Sequence, residues 1–199
     1  MAICGLIQPT PLRLEYLDRV LTAYEERYDV EMPVDIWNIH LFAIQELKGE
    51  WGADIPVGIE YTDSGSFVGQ GNAHIDLGVF AKQLFEFRQF MAKHGQQDKP
   101  LYITEYGVLY DWPEFTEERV HNFMLDTFEH MINARDCDLS TSDDCRLAQR
   151  WAWFSLADIG WGFNVGTTLY DLNTKNMLPS GEKYRQFAID NFDALQYSP

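Results

Sequence analysis

Two hydrophobic periods alternate along this chain, and their order constrains its fold more than any other feature. Short apolar runs, "AICGLI" at 2–7, "VDIWNIH" at 34–40, "LYITE" at 101–105 and "QRWAWFSL" at 149–156, each give way to a segment whose apolar residues recur every three or four positions. The first such segment carries Leu14, Leu17, Leu21, Tyr24 and Tyr28, and the second Leu77, Phe80, Leu84, Phe87 and Met91. The third carries Val120, Phe123, Met124, Phe128, Met131 and Ile132, and the last Tyr184, Phe187, Ala188 and Phe192. Runs of four to eight residues bounded by turn signals are strands, and the three-four spacing is one face of a helix. Thr10 with Pro11, Asp76, and Thr116 with Glu117 and Glu118 stand where helix starts are expected. Strands that alternate with helices and lack two-residue hairpin turns pair in parallel under a helical cover. The expected class is therefore α/β with four parallel β/α units in one unit spanning 1–199, interrupted by long loops at about 41–75 and 156–178.

Composition narrows the partners. A hydrophobic fraction of 46% supports a real core, and the net charge of −16 repels phosphate backbones and anionic membrane surfaces. No apolar run reaches the ~18 residues of a membrane span, and "MAICGLIQP" lacks the basic start of a signal peptide. Neither a nucleic-acid nor a membrane partner is expected, and the compartment is left open. No strand ends in GxGxxG or GxxxxGK[ST], and the three cysteines lack zinc spacing, so no cofactor or metal is expected. Cys137 and Cys145 flank "CDLSTSDDC" either as a small disulfide loop or as free thiols.

In a parallel sheet the carboxyl ends of all strands share one rim, where α/β enzymes build their sites. Strict alternation puts Glu105 on the face of Leu101 and Ile103, His40 on the face of Ile36 and Asn38, and Trp153 on the face of Trp151. A glutamate, a histidine and a tryptophan then close three successive strands beside loops holding Trp112, Trp161 and Phe163. Aromatic faces stack on sugar C–H faces, and carboxylates perform glycosidic chemistry.

The motifs "WNIH", "ITEYG" and "RWAWFSLAD", with the closing "LYDLNTKNMLPSGEKYRQF", resemble strands six, seven and eight and the last segment of the retaining (β/α)8-barrel glycoside hydrolases of clan A. The resemblance covers nearly the whole chain and implies a half-barrel made of strands five to eight. It implies Glu105 as nucleophile, His40 as the histidine beside it and Trp153 as the platform under the sugar, with Asn38, Tyr106 and Trp161 as further substrate-binding candidates. The implied ligand is an oligo- or polysaccharide. The family's acid/base glutamate follows an asparagine, and this sequence contains no Asn-Glu pair. Glu46, Glu50 and Glu60 lie on the loop after His40 and are expected at its surface. Three expectations follow: a glycosidase completed by a missing N-terminal half-barrel or by self-association, a non-catalytic carbohydrate-binding half-barrel, or an inactive fragment. In all three, the inward faces bearing Ile36, Leu101 and Ile103 are expected to lack an opposite wall.

Overall fold

The computed structural model describes residues 2, 5–49, 52–60, 71–158 and 160–196. Among the described residues, four α-helices alternate with the strands of a parallel sheet. Helix α1 covers Pro11–Tyr28, with a proline in its first turn and Asp29 in the left-handed region, φ 55°, closing its end. Strand β1 (Trp37–His40) is followed, after the loop and a 3-10 turn at Gly71–Ile75, by α2 (Leu77–Lys93). Strand β2 (Leu101–Tyr106) leads to α3 (Glu117–Asn133), and β3 (Arg150–Trp153) leads towards α4 (Pro179–Asp190). The caps of α2 and α3 form as expected: Asp76 accepts the N–H of Val79 and Thr116 that of Arg119. Thr10 is different, because its hydroxyl donates to the Glu46 carboxylate and leaves the helix uncapped by a side chain.

The sheet order is β1-β2-β3, parallel throughout. The first apolar run runs parallel beside β1 through bridges from Ala2 to Ile36 and from Leu6 to Ile39. The expected loop at 156–178 is partly ordered, with a 3-10 turn at Val165–Thr167 and a small antiparallel pair, β4 (Tyr170–Asp171) and β5 (Asn176–Met177), before α4.

The core lies on one side of the sheet only. Trp37, Ile39, Leu101, Ile103 and Tyr106 are buried against Phe80, Leu84, Phe87 and Met91 of α2 and Val120, Met124 and Phe128 of α3. Burying each such side chain stabilises by ~1.5–3 kcal/mol, which fixes this face against the helices. Leu101 and Ile103 therefore do not form an exposed inner wall, contrary to expectation; both are fully buried under helices. The other face carries Asn38, His40, Tyr102 and Thr104, and the exposed Arg150 and Ala152. It is a largely polar face.

Arg88, fully buried on α2, ties down the amino ends of the strands. Its guanidinium donates to the carbonyls of Leu147 (2.6 Å) and Lys99 (3.1 Å) and to Gln149 Oε1 (2.6 Å), which also accepts the N–H of Leu101. Cys137 and Cys145 form a disulfide, Cα–Cα 4.7 Å, closing the polar loop beside this end.

Candidate functional site

The register of the sheet slips once at its carboxyl end, and the slip builds the site. Asn38 pairs with Tyr102 and Ile39 with Ile103, but His40 pairs with Glu105, so Thr104 is an extra residue on β2. A bulge of this kind turns the following side chains over. Without it Glu105 would follow Leu101 and Ile103 into the helical core, as strict alternation predicts. With it, Tyr106 goes into the core and Glu105 joins His40 on the open side.

There Glu105 Oε1 lies 3.7 Å from His40 Nε2, the two side chains being 43% and 22% exposed. Burial holds the His40 pKa below its ordinary value, and the neighbouring Glu105 carboxylate opposes this without reversing it. At neutral pH His40 is therefore a neutral imidazole beside Glu105, donating at one ring nitrogen and accepting at the other. Beneath it Thr104 Oγ1 donates to Asn38 Oδ1. Gly5 of the first run sits against both: a Cβ there would meet His40 Nε2 at 3.0 Å and Asn38 Oδ1 at 3.3 Å. A glycine inside an apolar strand run is the sequence signal of such a close approach.

Trp153 and Tyr106 lie elsewhere. The Trp153 side chain is on the helical face, 6% exposed, its indole N–H donating to the Thr167 carbonyl at 2.8 Å. Tyr106 is fully buried, 5.2 Å from Trp153 and 5.3 Å from Phe80 between ring centroids, and burial raises its phenol pKa. Both are core, because the faces of β2 and β3 that they occupy are the ones the helices cover. The aromatic at the rim is Phe154, one residue further on, preceded by the last residue of β3 and followed by a cis peptide bond to Ser155. Gly107 allows this approach, since a Cβ there would overlap the Phe154 carbonyl. The Phe154 ring lies 5.8 Å from Phe42, and Phe42 lies 6.1 Å from His40. On its other side Phe154 is stacked with Trp161 at 6.3 Å, and Trp161 is 62% exposed. Trp161 is thus linked to His40 only through successive ring contacts with Phe154 and the buried Phe42.

The carboxylates of the loop after β1 do not complete the pair. Glu46, expected at the surface, is fully buried and bonded to Arg13 and Thr10. Glu60 is exposed, and Glu50 lies outside the described residues. Among the described residues no group of three or more His, Cys, Asp or Glu is arranged to hold a metal ion.

His74 was missed by sequence reasoning, because a lone histidine in a polar loop carries no pattern. It is buried, and its Nε2 accepts the N–H of Leu109 at 2.8 Å. Its ring packs on Tyr110 at 4.7 Å. Burial pushes its pKa down to about 4, the backbone at Phe42 and Ala43 opposing weakly. It thereby joins the loop after β1 to the loop after β2. A separate cleft of about 230 Å³, lined by Leu21, Met32, Val34, Trp37 and His94, opens at the amino ends of the strands, away from this rim. No family model matches the chain, and neither the curated proteins nor the solved structures give a match.

Proposed function

We propose that the chain carries the nucleophile half of a retaining glycoside-hydrolase site on a (β/α)8-type half-barrel. Glu105 attacks the anomeric carbon, neutral His40 accepts or donates a hydrogen bond beside it, and Phe154 with Trp161 offers the rings against which a sugar lies. The observation that carries this reading is the bulge in β2, which takes a glutamate out of the core and sets it 3.7 Å from His40 at the open end of a parallel sheet. The second carboxylate that retention requires, about 5–5.5 Å from the nucleophile, would come from another half-barrel, in a second chain or in further sequence.

A leaving group that departs without protonation tests the nucleophile alone. In 2,4-dinitrophenyl 2-deoxy-2-fluoroglycosides a Glu105 oxygen would form the bond to the anomeric carbon as the bond to dinitrophenolate breaks with its electron pair. Incubation with the β-gluco, β-galacto, β-manno and β-xylo members should add one fluoroglycosyl mass to the chain. Peptide mapping should place it on Glu105, and Glu105→Gln should abolish it with folding intact. No adduct from any of the four, or an adduct on another residue, would remove Glu105 from the role.

A further inference from the structure

At the amino ends of the strands, opposite the rim, the carboxyl end of α2 meets the last turns of α1, and the cleft of about 230 Å³ opens between them. Helix α1 stops at Tyr28, and Asp29 in the left-handed region turns the chain so that Glu31, Met32 and Val34 wall the cleft before β1 begins. Helix α2 stops at Lys93. Gly95, φ 66°, then turns the chain back until the N–H of Gln96 reaches the Met91 carbonyl at 3.0 Å. Asp18 of α1 clamps the two helices together, bonded to Lys93 Nζ at 2.7 Å and to His94 Nε2 at 2.9 Å.

Leu21, Met32, Val34 and Trp37 give this cleft an apolar wall. Trp37 is 1% exposed, yet its indole N–H has no acceptor among the described residues. Gln96, on another wall, has a buried Oε1 with no donor among them. Buried polar atoms are ordinarily paired, so an unmet donor and an unmet acceptor on one cleft are the complement of a ligand that brings an oxygen and an N–H. The surroundings set the charge of that ligand. Glu25 and Glu31 put two exposed acidic side chains at the cleft, and the carboxyl ends of α1 and α2 add partial negative charge. Lys93 brings the opposite sign, but Asp18 already pairs with it. A cation is favoured here, whereas a carboxylate on the ligand would meet Glu25, Glu31 and a net charge of −16.

We infer that this cleft binds an apolar residue carrying a free ammonium and an uncharged carbonyl, as in an amino-acid amide or the first residue of a peptide. The ammonium is held by Glu25, Glu31 and the Gln96 oxygen, and the carbonyl accepts the Trp37 N–H. The aliphatic side chain lies on Leu21, Met32 and Val34. The inference is independent of the glycosidase reading, whose residues stand at the other end of the sheet.

Titration calorimetry on the whole chain, at neutral pH and low salt, tests it with probes that share one aliphatic side chain. Leucinamide and Leu-Gly-Gly-amide carry both the charge and the carbonyl and should bind. N-acetyl-leucinamide lacks the charge, isopentylamine lacks the carbonyl, and leucine adds a carboxylate; each should bind more weakly than leucinamide, by about two- to tenfold. Peptide binding tighter than leucinamide binding assigns the cleft to a peptide N-terminus, and equal or weaker binding assigns it to a free amide. Glu25→Gln and Glu31→Gln alter exposed side chains and should keep the far-ultraviolet circular dichroism spectrum. Each should weaken leucinamide binding by about two- to fivefold, the scale of one partly screened ion pair. Glu118→Gln, which removes an exposed acid from the first turn of α3, outside the cleft, should change nothing. No binding of either charged amide up to about 10 mM would overturn the inference. So would N-acetyl-leucinamide, isopentylamine or leucine matching leucinamide, or an affinity unaltered by both cleft variants.

Discussion

Replacing His74 by glutamine should flatten the acid side of the protein's stability profile. In the folded chain burial pushes the His74 pKa from 6.5 to about 4, because the charged imidazolium would be enclosed by Tyr110, Phe115 and the loop backbone. Nδ1 makes no well-aligned hydrogen bond among the described residues, so the pull of the Phe42 and Ala43 backbone towards protonation is weak, and desolvation wins. The unfolded chain takes up a proton as pH falls through ~6.5, and the folded chain does not do so until about pH 4. Protonation therefore favours the unfolded state: the stability present above pH 6.5 is lost progressively as pH falls to about 4 and is constant below. A fall from 6.5 to about 4, at ~1.36 kcal/mol per pH unit, corresponds to about 3 kcal/mol. Glutamine keeps an acceptor for the Leu109 N–H and has no titration, so its own misfit shifts stability equally at every pH. Urea unfolding of both proteins at several pH values between 4 and 7.5 isolates the effect, since every other carboxylate and histidine cancels in the difference. The wild-type advantage should shrink by about 3 kcal/mol from pH 7 to pH 4. A difference constant across that window would refute the reasoning, as would a His74 ring-proton titration near its ordinary value.

Arg88→Met should destabilise by about 3 kcal/mol, since it strands the buried Leu147 carbonyl, removes the donor to the half-buried Lys99 carbonyl and takes one of two donors from Gln149 Oε1, and denaturant midpoints measure the loss. Removing the disulfide with Cys137→Ser and Cys145→Ser should lower stability by about 2–3 kcal/mol, the scale for so short a closed loop. The intact protein should show one reactive thiol, Cys4, under denaturing, non-reducing conditions, and three would contradict the pairing.

The helices were legible because burial on one face leaves a three-four imprint. Phe80, Leu84, Phe87 and Met91 on α2, and Val120, Met124, Phe128 and Met131 on α3, are all buried where that spacing put them. Parallel pairing was legible from the lack of hairpin turns between those segments. The faces of the strands were not. A bulge is one residue in one strand, and the extra Thr104 leaves no mark in "LYITE" that alternation can detect. That single residue decided the side on which Glu105 and Tyr106 appear. Trp153 was misplaced for a related reason: "WAWF" offers three aromatics within four residues, and only the position of the helices decides which of them is core. Arg88 and Glu46 escaped because a charged residue in a helix or loop is ordinarily a surface residue, and their burial depends on partners 11 to 61 positions away.

The polarity of the open face bears on what can complete the site. An exposed apolar wall would drive indiscriminate association, but Asn38, His40, Thr104, Glu105 and Arg150 do not make such a wall. Covering these groups without giving each a hydrogen-bond partner opposes association, by about 1–3 kcal/mol for every buried group left unsatisfied. On the proposed reading, two copies packed face to face would bring one Glu105 side chain towards the other, and like-charge repulsion would oppose that packing. A half-barrel bearing its own donors and a protonated carboxylic acid meets both requirements at once. On the glycosidase reading proposed above, it would satisfy the Asn38–Thr104 and His40–Glu105 pairs and supply the proton that a leaving sugar oxygen needs. If the chain is the half-barrel proposed above, its polar face therefore favours a complementary half over a second copy of the same one.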